Sequence, residues 1–267
     1  LVESGLARQA DADNYDVHDL IREFLFRSLS TALREEFHGK CAEWYQKQTS
    51  SYEVQIELIY HAIKSSQFEA ASEIVVNDGR QLVSQGYMEL LGLIEQIETD
   101  DLTSSVVIRM AQLQGDILAL LGRLNEAETV LNDTLERAQS TAGELVQAEI
   151  LSSLADVSRK QGNSELSLNR HKAALKHYIS LGNARWAART YNNIGYLLRR
   201  KNERNKALEA YGEVEAILES SDDDELIYSQ ITLARSLIEL GEVDRAREHA
   251  MASHERTSAL GDGVLHA

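Results

Sequence analysis

Leu120-Leu121-Gly122-Arg123-Leu124-Asn125-Glu126-Ala127 decides the fold, because the chain repeats its pattern three more times. The other copies are Lys160-Gln161-Gly162-Asn163-Ser164-Glu165-Leu166-Ser167, Arg200-Lys201-Asn202-Glu203-Arg204-Asn205-Lys206-Ala207 and Glu239-Leu240-Gly241-Glu242-Val243-Asp244-Arg245-Ala246. Each reads as a helix end, a tight turn and the start of a second helix. The closing residues Ala127, Ser167, Ala207 and Ala246 are small, and by subtraction they stand 40, 40 and 39 apart. Twelve residues before each lies another small residue: Gly115, Ala155, Gly195 and Ala234. A fixed period of this length, with small residues at two positions, marks a solenoid of helical hairpins. Small residues are expected there because two helix backbones cross closely. A solenoid offers a long concave surface to a partner and rarely a catalytic pocket.

The pattern resembles the tetratricopeptide repeat, with a small residue on helix A and Ala at the start of helix B. The common period is 34 residues; the spacing of about 40 here implies helices longer by roughly a turn. The long repeats, the Leu-Gly-Arg-Leu-Asn-Glu-Ala turn and the helix breaks at 181–183 and 260–262 resemble the sensor region of MalT-type regulators. Those belong to the STAND class of signal-transduction ATPases. The segment from Gln85-Gly86-Tyr87 to Ile97 is similar to the stretch that opens such a region, and the resemblance covers about 52–267.

A second resemblance lies at the N-terminus. Tyr15-Asp16-Val17-His18-Asp19-Leu20-Ile21-Arg22-Glu23-Phe24 resembles the end of the winged-helix domain in NB-ARC and related STAND proteins, where a strand delivers a Met-His-Asp-like motif to a helix. Val17 stands at the Met position; His18 and Asp19 match. The resemblance implies that His18 senses the β-phosphate of ADP, and only beside an ATPase domain outside this sequence. The alternative role for His18 is a wing residue bonded to neighbouring backbone.

Composition narrows the classes. The 267 residues contain no Pro, where average usage of about 5% would give roughly thirteen, so helices run uninterrupted and Pro-rich linkers are excluded. The formal charge of −16 repels phosphate backbones, so no direct nucleic-acid partner is expected. The single cysteine, Cys41, falls on an apolar helix stripe; it cannot form an internal disulfide, which suits a reducing cytosol. No apolar run approaches the ~18–20 residues that span a bilayer. The absence of an initial Met and the final Gly261-Asp262-Gly263-Val264-Leu265, similar to another repeat opening, suggest a piece of a longer protein.

Along the chain, Leu6–Gln9 and Tyr15–His18 read as wing strands around a polar turn. Asp19 is placed to cap a helix bearing Leu20, Phe24, Leu25 and Leu29, and a second helix is expected over 31–48 with Leu33, Phe37, Cys41, Trp44 and Tyr45. A degenerate repeat follows, with Ile59 and Ala71 twelve apart and a turn at 64–67. Helices are expected near 86–98 and 103–121, and regular hairpins at 103–140, 142–181, 183–220 and 224–260. Ser221 with Asp224 resembles a capping box opening the last hairpin, which makes 222–225 a helix N-terminus in preference to a calcium site.

Catalytic signatures are missing. The sequence has no phosphate loop, no Gly-x-Ser-x-Gly and no His-Glu-x-x-His, and its eight histidines have poor ligand spacing; His171 and His177, six apart, point to different helix faces. Trp186, Tyr191 and Tyr211 fall at repeat positions that fill the groove between helices. With the small A-helix residue at repeat position 8, positions 5, 9 and 12 face the concave wall. They include Gln112, Asp116, Ser152, Asp156, Arg159, Asn192, Tyr196, Arg199, Ile231, Arg235 and Ile238. The partner-binding candidates are Asp116, Asp156, Arg159, Asn192, Tyr196, Arg199 and Arg235. Gathered arginines suit an acidic peptide or small anion; ordinary solvated residues paired with neighbouring acids are the competing account.

The expectation is therefore an all-α, right-handed superhelical solenoid of tetratricopeptide-like hairpins behind a winged-helix remnant, divided into 1–50 and 51–267. It is a non-enzymatic, cofactor-free, metal-free cytoplasmic sensor arm that binds a protein or small-molecule inducer and restrains the ATPase domain of the same longer chain, with no membrane contact and with homo-oligomer formation open. The rival is a scaffold without an ATPase switch.

Overall fold

The computed structural model describes residues 7–9, 15–17, 24, 26–48, 51–221 and 223–260. Two compact units are present, Leu1–Met110 and Ala111–Ala267. By compactness the first unit extends past the expected division at residue 50, because the helices on either side of that point pack together.

The first unit opens with an antiparallel pair, β1 (Ala7–Gln9) and β2 (Tyr15–Val17), in the register Ala7↔Val17. Helix α1 (Thr31–Gln46) is capped by Ser30 and packs on α2 (Tyr52–Lys64), which is capped by Ser51. Helix α3 (Phe68–Ser84) forms the degenerate hairpin with α2, and Ile59 and Ala71 are both fully buried. The element expected over 86–98 is a short helix, α4 (Leu90–Ile94), delayed by a turn at Gly86 with φ +98°. Helix α1 leaves Leu33, Phe37 and Trp44 exposed and Cys41 half-buried, so its apolar stripe is only partly covered.

Helix α5 (Ser104–Leu120) begins the regular hairpins. It pairs with α6 (Leu124–Thr141); α7 (Glu144–Lys160) pairs with α8 (Ser164–Ser180), α9 (Ala184–Arg200) with α10 (Arg204–Ser220), and α11 (Ile227–Glu239) with α12 (Val243–Leu260). Their turns are chemically one turn. Gly122, Gly162 and Gly241 take φ of +78°, +85° and +79°, and Asn202 replaces glycine at +60°. Asn tolerates this left-handed region better than other side-chain-bearing residues. In each turn the next amide reaches back to the fifth residue before it: Arg123 to Leu118, Asn163 to Ser158, Glu203 to Leu198 and Glu242 to Leu237, all at 2.9 Å. These bonds satisfy carbonyls that a helix end would otherwise leave open.

The small residues serve a different purpose from the expected one. A Cβ built on Gly115 would lie 2.5 Å from Leu131 Cγ, and one built on Gly195 would lie 2.7 Å from Tyr211 Cζ. In these two hairpins the A helix thus provides a hole for a large B-helix side chain sixteen residues later; in the last hairpin the residue sixteen after Ala234 is the exposed Ala250, and no such filler is present. The second small row, Ala127, Ser167, Ala207 and Ala246, is buried, and Tyr211 and Leu131 are fully buried. Such close packing gives each hairpin one register.

Polar ties join successive hairpins. Lys160 Nζ donates to the Ala119 carbonyl at 2.8 Å, Lys201 pairs with Glu165 at 2.6 Å, and Arg204 pairs with Glu242 at 2.6 Å. Between B helices, Arg170 reaches Glu128 at 2.9 Å and Arg245 reaches Glu215 at 2.7 Å. The expected capping box does not form. Ser221 Oγ accepts from the Asp223 amide at 3.2 Å, and a 3-10 turn, Asp224–Leu226, precedes α11. The hydroxyl is used within a local turn and is lost to the helix.

Candidate functional site

The A helices α5, α7, α9 and α11 carry the face where partner contacts were expected. Taking the small residue of each as reference, the residue six before it and the residue one after it are seven apart, ~20° short of two turns, so they share one stripe. On α7 that stripe holds Glu149, which is buried, and the half-buried Asp156; on α9 it holds Arg189 and Tyr196; on α11 it holds Tyr228 and Arg235. The stripe is acidic on α7, then alternates arginine and tyrosine across α9 and α11. Helix α9 itself contains four arginines, Arg185, Arg189, Arg199 and Arg200, and no acid.

The seven predicted partner residues divide by what they touch. Asp116 is half-buried on α5. Asp156 and Arg159 pair with each other, Nη2 to Oδ1, at 3.2 Å along α7. Arg199 crosses to Glu239 of α11 as an ion pair and lies over the Tyr196 ring, 5.4 Å from its centroid. Asn192 is only 3% exposed, and its amide donates to the Ser229 carbonyl at 3.0 Å, so it joins α9 to α11 and is removed from the open stripe. Tyr196 is half-buried, and Arg235 is exposed with no ion pair among the described residues. His18, the expected nucleotide-sensing residue, lies outside the described residues.

Three residues on this stripe were not singled out from sequence. Arg189 lies over the Trp186 ring at 5.0 Å and over the Tyr228 ring at 6.0 Å, while Tyr228 is 66% exposed. Arg200 Nη1 donates to the Tyr196 hydroxyl at 3.5 Å. The signal was available: Arg189 lies seven residues before Tyr196, on the same stripe. Trp186 also stacks on buried Tyr178 at 5.8 Å, and Tyr211 fills the core; both fit the packing role expected of these aromatics.

Behind the stripe lies His171 on α8, fully buried, with neither ring nitrogen hydrogen-bonded. Burial is the main cause that pushes its pKa down to about 4; Asp156 opposes this, and Arg159 and Arg189 add to it. The imidazole is neutral near pH 7. In the first unit, His38 Nδ1 lies 2.8 Å from His61 Nδ1, tying α1 to α2. Tyr45 stacks on His61 at 5.5 Å, and Phe26 and Tyr60 edge onto His38. Burial lowers the pKa of both histidines. Among the described residues no group of three or more His, Cys, Asp or Glu converges as a metal site, and no helix is long and apolar enough to cross a membrane.

Comparison with known proteins agrees with this geometry. The tetratricopeptide repeat model matches residues 146–220, the two central hairpins. No curated protein matches the chain. Among solved structures, the chain is similar to BtubC (BKLC) from P. vanneervenii, at 16% identity and TM-score 0.53, covering 88% of this chain and 94% of that one. It is similar to a STAND protein with a tetratricopeptide repeat sensor from Pyrococcus horikoshii, at 16% identity and TM-score 0.57. That match covers 96% of this chain and 45% of the other, so this chain spans less than half of that protein's length. A Rap protein complexed with competence and sporulation factor matches at 16% identity and TM-score 0.52, over 91% of this chain and 74% of that one. At these identities the shared property is the fold: helical repeats of the tetratricopeptide type.

Proposed function

We propose that this chain is a non-catalytic docking arm whose A-helix stripe receives a protein partner. The carrying observation is the stripe itself, with Arg189, Tyr196, Tyr228 and Arg235 at equivalent registers of two successive hairpins; Tyr196 packs against the core behind it, and Arg189, Tyr228 and Arg235 are exposed. Arginine and tyrosine are enriched among residues that dominate interface energies. The test is photo-crosslinking in the intact protein within its own cells. A crosslinking side chain at Tyr196 or Tyr228 is expected to capture a discrete partner, and one at exposed Lys172 on α8 is not. Equal capture at all three positions, or none at the first two, would contradict the proposal.

At a finer level, we read the arm as the sensor of a STAND-type regulatory ATPase, holding it closed until an inducer binds. The fold likeness to a STAND protein over nearly the whole of this chain supports this, as does the β1–β2 hairpin at the place expected for a winged-helix remnant. In a longer protein carrying the ATPase, His18→Ala is expected to loosen ADP and raise basal output; unchanged ADP affinity and output would return His18 to a structural role. The second reading, a cytoplasmic scaffold without a switch, draws on the likeness to BtubC, where the two chains cover each other almost fully.

A further inference from the structure

We infer that the stripe of α9 and α11 takes an acidic segment of a partner protein, with Arg189, Arg200 and Arg235 as its charge contacts and Tyr196 and Tyr228 as its platforms. This rests on the docking proposal and specifies the partner's chemistry.

The protein has 43 acidic and 27 basic residues, so carboxylates are abundant. Six other arginines find them: Arg123 binds Glu126, Arg159 binds Asp156, Arg170 binds Glu128, Arg199 binds Glu239, Arg204 binds Glu242, and Arg245 binds Glu215. Arg189, Arg200 and Arg235 lie on one stripe and have no carboxylate within ion-pair distance among the described residues. Arg189 is instead held over Trp186, which fixes its guanidinium and leaves its in-plane donors available. A guanidinium held on an aromatic face loses less freedom when a carboxylate arrives, and its fork accepts both carboxylate oxygens.

The spacing fits a segment rather than a single small anion. Eleven residues separate Arg189 from Arg200, ~16 Å along a helix, the reach of about five extended residues. Arg235 and Tyr228 extend the stripe sideways onto the next hairpin. The overall charge of −16 does not forbid this. At physiological ionic strength charges are screened beyond ~8 Å, so local cations outweigh distant acids. Helix α9, with no acid of its own, is the least repulsive A helix for a negative chain.

The experiment uses the full chain and fluorescence anisotropy of three labelled probes: a short peptide of alternating Glu and Ser, the same peptide with Lys for Glu, and oligothymidine of similar length. The Glu peptide is expected to bind, to weaken as salt rises, and to lose at least tenfold, about 1.4 kcal/mol, when Arg189, Arg200 and Arg235 are all changed to Ala. Helix content by circular dichroism should stay unchanged, and Lys172→Ala on α8 should leave binding intact. Undiminished binding to the triple variant, or equal binding of the Lys peptide, overturns the inference. Tighter binding of oligothymidine than of the Glu peptide also overturns it, in favour of a phosphate backbone. If no peptide binds while crosslinking at Tyr196 still captures a partner, the acidic class is wrong and the docking face stands; failure of both removes the face itself.

Discussion

In the α7–α8 hairpin the small A-helix residue is Ala155 and the B-helix side chain sixteen later is His171; in α9–α10 the same two positions hold Gly195 and Tyr211. The larger filler comes with the smaller floor, so the volume at the crossing is conserved while the chemistry changes. Gly115 with Leu131 is a third solution. Outside the crossing, the same two hairpins present Asp156 in one case and Arg189 and Tyr196 in the other; Glu149, at the register of Arg189, is buried. Repeat register therefore fixes where a side chain goes, and leaves free what it offers. The α7–α8 hairpin uses that freedom for an imidazole without partners, and α9–α10 for arginines without carboxylates.

Tyr211→Ala is expected to cost about 3–5 kcal/mol, since a fully buried aromatic leaves a cavity between α9 and α10. Chemical denaturation followed by circular dichroism measures it. Gly195→Ala is expected to cost about 1–3 kcal/mol, despite alanine's better helix propensity, because its Cβ would meet the Tyr211 ring. Adding Tyr211→His recreates the Ala155–His171 pair, and the double variant should be more stable than additivity of the two single changes predicts. Strict additivity would show that the two positions do not share one space.

The histidine side sharpens the comparison through pH. The folded pKa of His171, about 4, lies below the unfolded value near 6.5. The unfolded chain therefore binds a proton first, and stability is full above pH 6.5 and falls as pH drops from 6.5 toward 4, by on the order of 3 kcal/mol. His171→Leu, which copies Leu131, should remove that slope and raise stability at neutral pH by ending the burial of two unpaired nitrogens. His38 and His61 act in the same direction, since both pKa values are lowered, and two protons cannot occupy a 2.8 Å Nδ1···Nδ1 contact. Some acid sensitivity should survive His171→Leu, shrink with His38→Phe, and shrink further when His61 is changed as well, because burial lowers both pKa values. The smallest effect belongs to Arg159→Ala. The Asp156–Arg159 pair is 42% and 37% exposed, so its loss should change stability by within about 0.5 kcal/mol.

The hairpins were legible because glycine, Asn202 and the small residues punctuate the chain at a fixed period. The helix limits of the four regular hairpins follow from that punctuation; the helix Thr31–Gln46 lies before the repeats and was expected over 31–48 from its apolar spacing. The reason for the small residues was not legible: a sequence shows that a position is small, not which side chain enters it. His171 looked like a scattered histidine, because burial without a partner is a property of three helices meeting. Ser221 matched a capping box in spacing, yet its hydroxyl was taken by a nearer amide. On the stripe, Asp116, Asp156, Arg159, Tyr196, Arg199 and Arg235 were singled out by position, but which arginines are already bound to carboxylates depends on neighbouring hairpins.

Hydrogen exchange of the full chain, with and without a saturating Glu-Ser peptide, tests the claim that equivalent registers carry different functions. Protection is expected to rise within 184–200 and 227–239 and to stay level within 144–160. Equal protection of 144–160, or no change in 184–200 on peptide addition, would contradict it.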